Sequence, residues 1–345
     1  MMLKKNIKNF DIDSLKVELE KIGEKKFRAE QIFKWLFQVN VQSFEEMTNL
    51  SLELRKKLEE LFVVGCFKIE KKLISKDGTK KYLFDIQDSS HNMIESVLME
   101  YHHGYSVCVS SQVGCKMGCK FCASTGIPFG RDLEPGEIVE QILAIERDEN
   151  IKISNIVFMG IGEPLDNFDN VMKAISIIND PKGLNIGARH ISVSTSGIVP
   201  KIYELADKKL QCTLSVSLHS SNNKTRSSMM PINNRYPIET LMEACKYYIS
   251  KTNRRISFEY ALAKDNNDNI QDAKELVSLL HGMLCHVNLI PINKIDNEKY
   301  QKSTNENIIR FRDYLNDHGI VATIRRELGS DISAACGQLR KQNLK

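Results

Sequence analysis

The chain has 345 residues, enough to bury one large core with a small accessory domain, or two domains. No apolar run approaches the roughly 18 residues of a membrane span, and the basic residues 1–10 are not followed by an apolar segment. We therefore expect neither a membrane protein nor a signal peptide, and place the protein in the cytosol. A net charge of +4 permits nucleic-acid binding without requiring it.

Residues 1–66 are predicted to form a small helical accessory domain. The segment Phe27–Phe37 carries apolar residues at helical spacing. Ser43 followed by Glu46 is a capping-box pattern that predicts the start of the next helix. Charged residues of both signs decorate these helices, which by itself indicates a solvated surface rather than a binding site.

Residues 67–100 are predicted to form a β-hairpin linker. Residues 80–87 and 93–101 have strand-like composition, and they flank a turn-rich stretch at residues 88–92. Such a pattern is typical of two antiparallel strands joined by a short loop.

Residues 101–345 alternate between predicted strands and helices, which indicates an α/β core built from βαβ units on a parallel sheet, curved or closed into a barrel. Seven strands are predicted at 105–110, 154–160, 190–196, 212–219, 254–262, 286–293 and 321–327. Five helices are predicted between them, at 135–148, 170–178, 237–250, 270–280 and 307–319.

Three of these strands place small polar side chains on one face and branched apolar side chains on the other, since side chains alternate across a strand. The polar positions are Ser106, Cys108 and Ser110 on the first strand, Ser192, Ser194 and Ser196 on the third, and Ser215, Ser217 and His219 on the fourth. A closed barrel normally fills its lumen with apolar side chains. The pattern therefore predicts a wider lumen that holds a polar ligand; the alternative is that these strands lie at a sheet edge.

The sequence contains nine cysteines, an odd number, and shows no secretory signal. Both observations argue against a disulfide framework. Cys115, Cys119 and Cys122 follow the first core strand with a C-x3-C-x2-C spacing. Parallel α/β folds carry their chemistry at the carboxyl ends of strands. Three thiolates there can bind three irons of a cubane and leave the fourth open. Structural zinc, which prefers a fourth local Cys or His, and three unligated core cysteines are the alternatives.

With Phe121 before the last cysteine, this loop resembles the signature of radical S-adenosylmethionine enzymes. Further segments resemble the bacterial family that methylates adenine C2 in 23S rRNA and tRNA, and the likeness covers essentially the whole chain. They are residues 107–125, 158–165, 194–197, 215–220, 230–233, 288–293 and 332–339. The resemblance implies a partial (βα)6-type barrel with a helical N-terminal domain, a [4Fe–4S] cluster on the three cysteines and two S-adenosylmethionine molecules per turnover.

The resemblance also assigns individual residues. S-adenosylmethionine binds the open iron in this family, and its protein contacts correspond to Gly162, Glu163, Ser194, Ser217, Leu218, His219 and Asn293. Cys336 matches the cysteine that first takes a methyl group. A 5′-deoxyadenosyl radical then removes hydrogen from that methyl, and the methylene adds to adenine C2. Glu95 matches the proton acceptor, and Cys108 the thiol that frees the product through a transient disulfide with Cys336.

The implied substrates are an adenine in the peptidyl-transferase centre of 23S rRNA and the adenine 3′ of the tRNA anticodon. A low-potential electron donor such as flavodoxin or ferredoxin is the further partner. RNA contacts are expected from the first 65 residues, from Arg325–Arg326 and from residues 340–341. Two alternatives stay open. One is the antibiotic-resistance relative that methylates C8 of the same rRNA adenine, and Pro164 argues against it. The other is a zinc-stabilised RNA-binding protein without catalysis.

Overall fold

The computed structural model describes residues 4–126, 128–292, 300–335 and 337–339. Two predicted site residues, Asn293 and Cys336, lie outside the described residues, as do the predicted RNA contacts at 340–341. Within the described part of the chain, no helix is both long and apolar enough to cross a membrane.

The N-terminal residues form three helices and one short pair of parallel strands. In chain order they are β1 Lys5–Asn6, α1 Ile12–Lys21, α2 Phe27–Lys34, α3 Leu52–Leu61 and β2 Phe62–Val63. The prediction that a helix begins at Ser43 is wrong. The Glu46 carboxylate does accept the Ser43 amide at 2.9 Å, but the chain continues in turns and α3 begins only after Ser51, whose hydroxyl accepts the Leu54 amide. The capping pattern therefore closes a turn here instead of nucleating a helix.

One ten-stranded sheet holds the rest of the fold. Its strands are β3 Lys68–Ile74, β4 Lys80–Asp85, β5 Met93–Tyr101, β6 Gly104–Cys108, β9 Ile153–Phe158, β10 Ile191–Thr195, β11 Thr213–Ser217, β12 Ile256–Leu262, β13 Cys285–Pro291 and β14 Ala322–Ile324. A separate ribbon pairs β7 Gln112–Val113 with β8 Arg131–Asp132. The sheet order is that of the list, antiparallel from β3 to β6 and parallel from β6 to β14.

Helices connect the parallel strands. They are α4 Pro135–Glu149, α5 Phe168–Asn179, α6 Val199–Asp207, α7 Asn223–Met229, α8 Ile238–Thr252, α9 Ile270–Leu280 and α10 Asn305–Asp317. The seven predicted core strands and the five predicted helices are confirmed, whereas α6 and α7 were not foreseen. The predicted hairpin is the β4–β5 pair, and it is joined by β3 and by β6 into the same sheet as the core.

The sheet is open at β3 and β14 but strongly curved. Cys108 on β6 and Arg325 after β14 line one cavity although five strands lie between β6 and β14 in the sheet. Such proximity requires the parallel strands to wrap around a common lumen, as in a partial barrel. The apolar strand faces point away from this lumen: Val193 and Val216 are fully buried in the main hydrophobic core.

Candidate active site

The three cysteines of the loop after β6 line one cavity of about 940 Å³ that is open to solvent. Two backbone features hold the loop in place. Gly114 has a φ of +79°, and a Cβ there would lie 2.3 Å from the carbonyl oxygen of Pro128. The Lys120 amide donates to the Met229 carbonyl at 2.9 Å, which fastens the loop to the end of α7.

The electrostatics of these thiols favour a bound cation. Burial raises the pKa of Cys115 to about 11, and it raises the pKa of Cys119 further, with Cys122 and Cys115 adding to the rise. Desolvated thiols become thiolates only when positive charge compensates. Among the described residues no three His, Cys, Asp or Glu side chains are placed to hold a single metal ion. A cubane does not need that arrangement, because its three thiolates bind three different irons.

Gly162 and Glu163 follow β9 and enter the same cavity wall. A Cβ on Gly162, whose φ is +108°, would lie 2.7 Å from both the Gln112 Cβ and the Ser111 hydroxyl, so only glycine fits. The buried Glu163 carboxylate accepts the Ser196 amide at 2.7 Å and the Leu165 amide at 3.0 Å.

Burial raises the pKa of Glu163, and those two amides oppose the rise. An ammonium group bound nearby would offset the cost of burying this carboxylate. The Ser196 side chain, also in the cavity wall, interacts with the same carboxylate. The cavity thus fits S-adenosylmethionine beside a cluster.

The predicted polar strand faces supply much of the lining. Ser194 and Ser217, at the ends of β10 and β11, both face the cavity. Leu218 does not: its side chain is fully buried in the hydrophobic core, so only its backbone could serve a ligand. The role of each of these residues stays a prediction, and Asn293 lies outside the described residues.

His219 lies in the cavity wall in a left-handed backbone conformation, with a φ of +55°. Its Nδ1 accepts the Ala261 amide at 2.9 Å, which assigns the ring proton to Nε2. Burial lowers the pKa of His219 to about 3, and the Arg226 charge adds to the effect. The ring packs edge-on against Phe121 of the cysteine loop, with 4.7 Å between the centroids. His219 is therefore a neutral hydrogen-bond donor.

Arg226 on α7 was not foreseen, yet it ties the cofactor strands together. Its fully buried guanidinium donates to the carbonyls of Ser196 at 2.8 Å, Ser217 at 3.1 Å and Leu218 at 3.1 Å. Burial lowers its pKa to about 10, which still leaves it charged at neutral pH. In the sequence it stands in a short polar stretch that gives no sign of burial.

Glu259 on β12 was missed as well. Its carboxylate lines the cavity and accepts from Ser215 Oγ at 2.9 Å, Ser257 Oγ at 3.1 Å and Asn288 Nδ2 at 2.8 Å. The alternation of polar and apolar residues on β12 could have indicated its direction, because Glu259 shares a face with Ser257.

Cys108 lines a second cavity of about 590 Å³, together with Ala334, Ala335 and Leu339 of the C-terminal segment. That segment docks on the cysteine loop: the Ala123 amide donates to the Gly337 carbonyl at 2.7 Å, and Ser124 Oγ donates to the Leu339 carbonyl at 2.8 Å. Residue 336 itself is not described, but the residues on both sides of it lie between Cys108 and the cysteine loop.

Glu95 lies on β5 and is almost fully buried. Val97, on the same face of β5, pairs directly with Cys108 of β6, so Glu95 and Cys108 lie on the same side of the sheet. The Lys81 Nζ is 3.5 Å from the Glu95 carboxylate. Of the predicted catalytic residues, Glu95 and Cys108 thus lie on one side of the sheet, and Cys336 lies outside the described residues.

Comparison with known proteins gives matches along the whole chain. The ribosomal RNA large subunit methyltransferase N-terminal domain matches residues 5–64, and the radical SAM superfamily matches residues 109–279. The probable dual-specificity RNA methyltransferase RlmN of Clostridium novyi (strain NT) is 53% identical over 342 residues, 99% of each chain. Its namesake from Thermoanaerobacter sp. (strain X514) is 52% identical over 341 residues, again 99% of each chain.

Among solved structures, a radical SAM methyltransferase from Sphaerobacter thermophilus has a TM-score of 0.93 at 41% identity, covering 98% of this chain and 100% of that one. Because three cysteines follow the first parallel strand of a partial barrel, fold and site together define a radical S-adenosylmethionine enzyme. Enzymes of this class use a [4Fe–4S] cluster and S-adenosylmethionine. The full-length relatives narrow the class: the chain belongs to the family of dual-specificity RNA methyltransferases.

Proposed function

We propose that this protein methylates C2 of an adenine in the peptidyl-transferase centre of 23S rRNA and of the adenine 3′ of the tRNA anticodon, in the cytoplasm. One observation carries the proposal beyond family membership. Ala334 and Ala335 of the C-terminal segment line the Cys108 cavity, and the Gly337 and Leu339 carbonyls accept hydrogen bonds from the cysteine loop. A methyl-carrying cysteine needs that place, within reach of both the cofactor cavity and a resolving thiol.

The residues present divide into two sets. Cys115, Cys119 and Cys122 would hold the cluster, and Gly162, Glu163, Ser194, Ser217 and His219 would surround S-adenosylmethionine, with Leu218 through its backbone and Asn293 by resemblance. When bound, these cofactors supply the methyl group and the radical chemistry that an electron-poor C2 position requires.

The protein's own thiols then manage the covalent stage. Cys336 carries the methyl group as a thioether and binds the RNA base through its methylene carbon. Glu95 accepts the C2 proton, and the unpaired electron of the adduct would return to the redox cofactor, which leaves a closed-shell thioether between Cys336 and C2. The Cys108 thiolate attacks the Cys336 sulfur, so that an S–S bond forms, the sulfur–methylene bond breaks, and its electron pair stays with the RNA, which takes up a proton.

Basic side chains line the cavity that contains Cys108 and the cavity next to it. Arg189 and His190 line a third cavity of about 600 Å³, which shares Tyr101 and Arg325 with the cavity that contains Cys108. An unstacked adenine could pass along this route while the neighbouring phosphates meet the basic groups. The N-terminal helices and Arg326 extend this surface in our proposal. The electrons come from a low-potential donor such as flavodoxin or ferredoxin.

The decisive experiment is anaerobic incubation of the reconstituted enzyme with an rRNA fragment or tRNA and S-adenosylmethionine, followed by nucleoside mass spectrometry. We expect 2-methyladenosine from both RNAs. A product that co-elutes with 8-methyladenosine would instead identify a C8 enzyme. A colourless protein that binds zinc and RNA but forms no methylated nucleoside would refute catalysis altogether.

A separate experiment tests the RNA surface. Charge reversal at Lys25, Lys26 and Lys34 of the N-terminal domain is expected to weaken RNA binding and to lessen its dependence on salt. Formation of 5′-deoxyadenosine without RNA should stay at the wild-type level. Equal loss of both properties would contradict the assignment of this domain to RNA binding.

A further inference from the structure

Lys81 is a buried lysine in the predicted hairpin linker to which no role has been assigned so far. It lies on β4 with a relative exposure of 3%, and lysine is rarely buried to that degree without partners. Its Nζ is 3.5 Å from the Glu95 carboxylate and donates to the Ser333 carbonyl at 3.2 Å. One ammonium group thus touches both the predicted proton acceptor and the segment that leads to Cys336.

The strand register explains why Lys81 reaches this place. Lys81 pairs with Val97 on β5, and Val97 pairs with Cys108 on β6. Paired residues of antiparallel strands point to the same side of the sheet, so the three form one row that ends at the resolving thiol. Glu95 stands two residues from Val97 and is the diagonal neighbour of Lys81.

The turn between β3 and β4 holds the same C-terminal segment. Asp77 accepts the Gly329 amide at 2.9 Å, and Ser75 Oγ donates to the Asp331 carboxylate at 2.5 Å, while the Lys76 amide donates to it at 3.2 Å. These contacts fix residues 329–331 independently of Lys81. The contact with Ser333 is therefore one of several that hold the segment, whereas the contact with Glu95 belongs to Lys81 and not to the turn.

The neighbouring Lys80 provides an internal contrast. It points to the other side of β4 and pairs with Glu149 on α4, where its side chain keeps a relative exposure of 26%. Both lysines belong to the same strand and carry the same charge. Only Lys81 faces the lumen side, because successive residues of a strand point to opposite faces.

We propose that Lys81 is a positioning residue that holds the Glu95 carboxylate in fixed relation to Ser333 of the C-terminal segment, so that the C2 proton of the RNA adduct can be removed. The inference rests on the proposed function. Burying a lysine beside a carboxylate costs desolvation energy and is a weak source of stability. The buried lysine contributes geometry instead, because an ammonium with three donors can hold a carboxylate and a carbonyl at once.

The test compares Lys81→Met, Lys81→Arg and Lys80→Met in the reconstituted enzyme with tRNA. For Lys81→Met we expect kcat for 2-methyladenosine to fall by about 10- to 100-fold, with KM for tRNA unchanged, because a displaced base slows proton removal. Formation of 5′-deoxyadenosine should fall less, so that the ratio of 5′-deoxyadenosine to 2-methyladenosine rises by at least about threefold. S-methylation of Cys336, measured by peptide mass spectrometry, should persist.

For Lys81→Arg we expect a ratio of 5′-deoxyadenosine to 2-methyladenosine close to that of the wild type, and Lys80→Met should match the wild type. A purely structural role would lower both products together and leave their ratio unchanged, which would overturn the proposal. It would also be overturned if Lys80→Met raised the ratio equally. If the wild-type enzyme formed no 2-methyladenosine, the proposed function and this inference would fail together. If the wild-type enzyme is active and Lys81→Met keeps the wild-type ratio of 5′-deoxyadenosine to 2-methyladenosine, only this inference fails.

Discussion

The Ala123 amide, one residue beyond the last cysteine of the cluster loop, donates a 2.7 Å hydrogen bond to the carbonyl of Gly337. This contact joins the loop proposed to hold the cluster to the segment proposed to carry the methyl group. Ser124 repeats the connection through the Leu339 carbonyl. Gly337 and Leu339 of the C-terminal segment are therefore attached directly to the cysteine loop.

Replacement of Cys108 by alanine should trap a covalent enzyme–RNA adduct. Without the resolving thiolate, the bond between Cys336 and the base cannot be exchanged for a disulfide, so the adduct persists on a denaturing gel. Cys212→Ala is the matched control, because Cys212 is also buried but belongs to the main apolar core. Normal turnover by Cys108→Ala would disprove the role assigned to this thiol.

Gly162→Ala should weaken cofactor binding. The added Cβ would meet Gln112 and Ser111 at 2.7 Å, in a backbone conformation that alanine disfavours. We expect the Kd for S-adenosylmethionine to rise by at least about tenfold, equivalent to roughly 1.4 kcal/mol. Gly282→Ala isolates the backbone strain, since Gly282 also has a positive φ, +74°, but no atom lies within 4 Å of its Cβ position. Similar losses in both variants would contradict the steric argument.

Arg226→Met should disorder the strand ends that face the cofactor. Loss of the guanidinium leaves the carbonyls of Ser196, Ser217 and Leu218 without their donor in a buried place, which typically costs about 1–3 kcal/mol for each group. We expect this variant to lose binding of S-adenosylmethionine, measured by calorimetry, while it still contains iron. Arg254→Met, which removes a single 3.4 Å contact with Thr213, should leave binding intact.

His219 should make the protein less stable in acid. Its folded-state pKa of about 3 lies below the ordinary 6.5, so the neutral ring stabilises the fold fully above pH 6.5, and this contribution is lost as the pH falls from 6.5 towards 3. Within that window the slope approaches about 1.4 kcal/mol per pH unit. His219→Asn, which does not titrate and tolerates a positive φ, should lack this component of the urea unfolding profile. Parallel profiles would contradict the depressed pKa.

Lys8→Met should destabilise the junction between the N-terminal domain and the barrel. Lys8 and Glu140 of α4 form a fully buried ion pair, to which Arg147 adds a second contact. Removing one partner of a buried pair typically costs about 3–5 kcal/mol, and Arg147 should reduce that figure. Lys68→Met breaks a pair with Glu70 in which the lysine is exposed, and it should cost far less because solvent screens that pair. Urea unfolding compares the two variants.

Much of the fold could be predicted because its signals are local. Alternation of serine and valine on β10 and β11 follows from the two-residue period of a strand, and Ser194 and Ser217 do face the cavity. The start of α3 could not be read in the same way. Ser43 and Ser51 are both plausible caps, and packing of the intervening turns decided between them.

Lys81 and Arg226 escaped sequence reasoning for a common reason. A lysine in a hairpin and an arginine in a short helix are usually solvated, and burial becomes favourable only when acceptors from other segments surround the charge. For Arg226 these are the carbonyls at the ends of β10 and β11; for Lys81 they are Glu95 and Ser333. Neither set is near its residue in the chain.

The sequence by itself determined the spacing of Cys115, Cys119 and Cys122 and the order of strands and helices, because these depend on neighbours along the chain. Only the tertiary structure decided that the C-terminal segment docks on the cysteine loop, that Cys108 faces it, and that a buried lysine joins it to Glu95. These contacts require a curved sheet whose first and last parallel strands face one lumen. The curvature arises from the packing of the whole domain and not from any local segment.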